Sequence, residues 1–122
     1  MLDNGASNRN TFNADIPVNG SVSQSIDLLS SVLLGFVTPA VWTTAAIDIE
    51  VSLDNVTWFT SIYDSSSTAT GVYLTPTVSS GYAIDTLAFL PYRYVRFRSG
   101  TTATPVVQAA ARSIAVITRP FM

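Results

Sequence analysis

From Ser21 onward, apolar and polar residues alternate in short runs broken by Gly, Pro, Asn and Ser. Successive side chains of a strand point to opposite faces, so each run predicts a strand with one face in a core. "SVSQSIDL" (21–28) sets Val22, Gln24, Ile26 and Leu28 against Ser21, Ser23, Ser25 and Asp27. "VLLGFVTP" (32–39) predicts a second strand, with Gly35 marking a bulge or a close backbone approach and Pro39 ending it. The cleanest alternation places Ile47, Ile49, Val51 and Leu53 on one side and Asp48, Glu50 and Ser52 on the other. Asp54-Asn55 predicts a tight turn, because both residues tolerate left-handed backbone and bond it locally. The returning strand carries Val56, Trp58, Thr60 and Ile62, with Trp58 in the core and Trp42 closing one end.

Further on, residues 64–71 read as a loop, and short strands are expected near 72–74 and 82–84. In "YRYVRFRSG" (92–100), Val95 and Phe97 point inward while Tyr94, Arg96 and Arg98 point outward. A long connection follows, with a helical turn expected at Gln108–Ala111. "RSIAVIT" (112–118) is the last strand, with Ile114 and Val116 inward. Seven or eight short antiparallel strands, with turn signals between them and no sustained helical period, predict an all-β, jelly-roll-like sandwich. Its expected core is Trp42, Ile47, Ile49, Val51, Leu53, Trp58, Val95, Phe97, Ile114 and Val116.

At 122 residues the chain is long enough for one hydrophobic core. Residues 1–19 are Asn-rich and poor in apolar side chains, so they read as an extended arm ahead of a sandwich domain at 20–122. Such an arm frays unless something holds it. Another copy of the chain could do so; alternatively the arm packs along its own domain through Phe12 and Ile16.

Charged residues make up only 11% of the chain, against about 25% in a typical domain. Part of the surface is therefore expected to be covered by a partner. The chain has no Cys, no His and no Lys; all six basic residues are Arg. It thus lacks disulfides, thiolate nucleophiles, Cys-based zinc sites, the commonest general base and Schiff-base chemistry. The expectation is a non-enzymatic protein without cofactor or metal. A net charge of −2 argues against a nucleic-acid partner. Residues 1–4 lack the features of a secretory leader, and the apolar run 28–37 is too short to cross a bilayer, so no membrane partner is expected.

Four groups of side chains could carry chemistry. Asp48 and Glu50 share a strand face and could act as a carboxylate pair, but a solvated face paired with neighbouring arginines explains them more simply. Asp54, Asn55, Thr57 and Asp64 offer oxygens for calcium, yet a hairpin turn accounts for Asp54-Asn55. Arg93, Arg96 and Arg98 form a basic cluster better suited to partner or intrachain ion pairs than to phosphate. Tyr63, Tyr73, Tyr82 and Phe89 are candidate sugar-stacking aromatics or half-buried strand residues.

Two stretches carry a resemblance. "PAVWTTAAIDIEVSLDNVTW" (39–58) resembles the P-x-x-W-x-x-A-x-[IL]-x-[FV]-x-x-S-x-D-G-x-T-[WF] pattern of small virion proteins of tailed bacteriophages and prophages. "YRYVRFRSGTTATPVVQAAARSIAVITRP" (92–120) resembles the closing segment of the same proteins. Asn55 stands where that family tends to have Gly, a change the turn tolerates. The hairpin and the Arg-Tyr-Val-Arg-Phe strand are also loosely similar to discoidin-like jelly rolls, without their ligand residues. The resemblance implies a place in the virion after assembly in a bacterial cytoplasm. A capsid decoration or cement protein is the leading expectation, contacting other copies of itself and the major capsid protein. Candidate contact residues are Phe12, Ile16, Arg93, Arg96 and Arg98. A tail, neck or head-fibre component, or a module for host-surface glycans, is the alternative.

Overall fold

The computed structural model describes residues 9–61, 72–73 and 76–120. In chain order the strands are β1 (Asn10–Ile16), β2 (Ile26–Asp27), β3 (Ser31–Val37), β4 (Ile47–Ser52), β5 (Phe59–Thr60), β6 (Val72–Tyr73), β7 (Gly81–Ala83), β8 (Tyr94–Ser99) and β9 (Arg112–Pro120). A 3-10 turn, Thr86–Phe89, precedes β8. The first sheet runs β1-β9-β3-β7. The second runs β2-β8-β4, and β5 and β6 share the next lane: β5 pairs Glu50 and Val51, β6 pairs Ile47 and Asp48. Among the described residues nine strands thus fill eight lanes. The pairings β1–β9, β2–β8, β3–β7 and β4–β5/β6 are all antiparallel, as in one long hairpin wound over itself. This is the topology of a jelly roll.

The inner faces meet as the alternation predicts. Ile47, Ile49, Val51, Val95, Phe97, Ile114 and Val116 are buried, joined by Ala14, Ile16, Leu33 and Phe36. Phe36 joins the two layers: its ring lies edge-on to Phe97 at 5.3 Å and stacks on Tyr82 at 5.2 Å. Trp42 is partly buried against this core. At Gly35 both expected features occur. The register slips between Leu33 and Gly35, and a Cβ on Gly35 would lie 2.5 Å from the Tyr82 carbonyl oxygen.

Several expectations are corrected. Residues Asn10–Ile16 of the expected arm form β1, paired along β9, with Ala14 and Ile16 fully buried. Ile16 is therefore core, whereas Phe12 remains 45% exposed. The expected strand at 21–28 is interrupted: Val22 bridges Arg98, Ile26 and Asp27 pair with β8, and Gln24 turns away from the inner face. No helical turn forms at 108–111; Gln108 holds that connection by its side chain instead.

The largest correction concerns the β4–β5 hairpin. A two-residue turn at Asp54-Asn55 would set Trp58 opposite Val51; the observed partner of Val51 is Phe59. A one-residue slip reverses the faces. Trp58 therefore leaves the core for the outer face, and Leu53, already in the loop, is 65% exposed. The expected return through Ile62 reaches only Thr60 among the described residues.

Candidate interaction surface

The outward side of β4 does not face water. Asp48 and Glu50 are each 1% exposed, and Ser52 is fully buried. The β4–β8 ladder sets Asp48 opposite Arg98 and Glu50 opposite Arg96. Glu50, the chain's one glutamate, accepts from Arg96 Nε at 2.8 Å and Arg98 Nε at 2.6 Å. Thr102 closes the cluster, its hydroxyl 2.6 Å from Glu50 Oε2 and its N–H donating to Asp48 Oδ2 at 3.2 Å. Gly100 makes this approach possible. Its φ is +85°, and a Cβ there would lie 2.4 Å from the Thr104 carbonyl oxygen. Trp58 roofs the network, its ring centroid 4.3 Å from the Arg96 guanidinium carbon.

The two carboxyls are pushed in opposite directions. Burial pushes Glu50 upward, but hydrogen bonds from Arg98, Thr102 and Arg96 outweigh it and hold the group below the usual range. Burial raises Asp48, only partly offset by the bonds from Thr102 and further supported by the neighbouring Glu50 charge. Asp48 Oδ1 has no hydrogen-bond partner among the described residues. The sequence expectation of pairing with arginines of the next strand holds for Glu50, whereas Asp48 bonds Thr102; that of a solvated face does not hold.

The ends of the sandwich differ in how their loops are held. At one end Gln108 is fully buried and joins three connections. Its amide donates to the Thr43 carbonyl and Ser99 Oγ and accepts from Thr43 N–H and Arg112, while its backbone bonds Asn19 and Gly20. At the other end Asp54 fixes its own loop, and Asp27 both caps its loop and ties it to Arg93. Asp54 accepts from Thr57 and Val56 N–H, which holds its carboxyl below the usual range. Asp27 accepts from Leu29 N–H and pairs with Arg93 at 3.0 Å.

That second end displays large apolar side chains: Leu29 68%, Leu53 65%, Val56 79%, Phe59 52% and Leu90 41% exposed. Strand register groups them, since Asp27 and Ser52 both lie opposite Tyr94 on neighbouring lanes. Leu29 also has φ of +42°, a conformation that a branched side chain adopts at a cost. The sandwich thus holds a leucine in strained backbone and points it into solvent.

Of the expected contact residues, Arg96 and Arg98 are engaged with Glu50, and Ile16 is in the core. Arg93 stays at the surface in its pair with Asp27, and Phe12 lies at an open sheet edge. Of the aromatics that could either stack on sugars or sit half-buried in strands, Phe89 is buried, and Tyr73 and Tyr82 pack against Phe36. Tyr63 and Asp64 lie outside the described residues. Among the described residues there is no cavity and no metal-ligating cluster. Sequence reasoning missed Thr102, Gln24 and Gln108. The isolated glutamate, in a chain otherwise acidic through Asp, was the one available pointer to a special environment at Glu50. No protein-family model matches the chain, and no curated protein matches it.

Proposed function

We propose that this protein is a non-enzymatic structural component of a tailed-phage virion, acting as a capsid decoration or cement protein. The observation that carries the reading is the loop end, where Leu29, Leu53, Val56, Phe59 and Leu90 stand exposed on a chain with few charges. The resemblance of residues 39–58 and 92–120 to small virion proteins supplies the context. On this reading the loop end docks on the major capsid protein, and other copies of the chain complete the contact. The mechanism is linkage: surface buried across a joint stabilises the assembled state over the separated subunits.

The test is the copy number of this chain relative to the major capsid protein, by quantitative mass spectrometry of purified particles. Numbers comparable to the capsid protein are expected. Numbers fitting a single ring would move the protein to the tail or neck. Absence from particles would overturn the reading.

A further inference from the structure

We propose that the free edge of β1 is a self-complementary site for strand addition by a second copy of the chain, and that the Gln24 side chain guards it. The inference is independent of the protein's place in a virion. β1 is the long open edge among the described residues; β2, β5, β6 and β7 have two or three residues each. An open edge of that length offers unpaired peptide groups to any extended chain.

Gln24 covers half of it. Its Nε2 donates to the Asn13 carbonyl at 2.9 Å, and its Oε1 accepts from Asp15 N–H at 2.9 Å. The amide sits where the peptide group of another strand would sit. These bonds also reveal which groups of β1 face away from β9: those of Asn13 and Asp15, and by the alternation of an antiparallel ladder those of Thr11; continued one residue before β1, the same alternation reaches Arg9.

A second β1, antiparallel about a two-fold axis through Phe12, satisfies this edge. Thr11 falls opposite the second copy's Asn13, and Arg9 opposite its Asp15, as hydrogen-bonded pairs. Among the described residues Arg9 is exposed without an ion pair, and the exposed Asp15 carboxylate accepts from Ser113 and forms no ion pair. Opposite charges therefore meet twice on the outer face. Phe12 meets its own copy in the narrow, non-hydrogen-bonded position, where Cα atoms approach to about 4.5 Å. Its parity is that of buried Ala14 and Ile16, yet it is 45% exposed because, among the described residues, no strand lies beyond the edge. A two-fold axis makes one patch serve both subunits.

Sedimentation equilibrium of the full chain tests this. Gln24→Ala is expected to tighten self-association about tenfold by removing two competing bonds in each copy. In that background Thr11→Pro is expected to abolish it, since the lost N–H is one β9 does not use. Arg9→Glu should weaken the dimer, and adding Asp15→Arg should restore it. Thr11 amide exchange should slow as the concentration of Gln24→Ala rises. A Gln24→Ala protein that associates no better than wild type would overturn the proposal. So would failure of the charge exchange to rescue, which remains decisive should the proline variant unfold.

Discussion

The two sheets treat their outward faces in opposite ways. The second sheet buries its outward row: Asp48 and Glu50 lie beneath Thr102, Arg96, Arg98 and Trp58, and the buried Ser52 bonds Asp54 and Asn55 of the following loop. The first sheet leaves the outward side chains of its β1 edge, Thr11, Asn13 and Asp15, in solvent, with Gln24 bonding only peptide groups of the last two. Among the described residues the buried carboxylates, Asp48 and Glu50, thus sit where they hold a loop to a sheet. The difference teaches that a polar row on a strand marks a second face without saying whether water or protein lies over it.

Glu50→Ala should break the contrast most severely. It leaves two arginines without their acceptor, and about 3 kcal/mol of stability is the expected loss by denaturant unfolding. A loss below about 1 kcal/mol would mean the network is solvated after all. Trp58→Ala should cost less, about 1–2 kcal/mol, because it removes a half-buried ring over a cation. From sequence alone, Trp58 reads as a core residue worth about 3–5 kcal/mol on truncation. The smaller value would confirm the slipped register.

Asp48→Asn sharpens the contrast through pH. The folded Asp48 carboxyl is raised, so it binds its proton more readily than in the unfolded chain. Its contribution is present in acid below the unfolded value and is lost as pH rises through the folded value. Glu50 is depressed, so its contribution is present above the unfolded value and is lost as pH falls through the folded one. Asp48→Asn removes the first and keeps the second. Relative to wild type, its melting temperature should improve between acid and neutral pH; an unchanged difference would refute the assignment. At the open edge, Thr11→Ala should change stability by no more than about 0.5 kcal/mol, and a larger loss would show that edge to be covered.

Much of the fold was legible. The alternation at 47–51 and 94–98 identified two central strands and their inward residues, because burial on one face forces period two. β1 was hidden because an edge strand needs few apolar positions, here Ala14 and Ile16, and its other residues read as a polar arm. The face of Trp58 was hidden because two turns one residue apart in length are both compatible with Leu-Asp-Asn-Val. The site was less legible. Thr102 reaches Glu50 across 52 residues of chain, and Gln108 reaches Thr43 across 65, contacts that no local pattern encodes.

The winding of the hairpin has a consequence for synthesis. β1 pairs with β9, so Asn10 must await Thr118. At about 5–20 residues per second, the ribosome leaves the first strand without its ladder for on the order of ten seconds. During that interval Gln24 is close at hand, only 9 and 11 residues from the groups it bonds. A nascent chain can therefore place this amide on its first strand long before the last one emerges, shielding it from neighbouring chains on the same message.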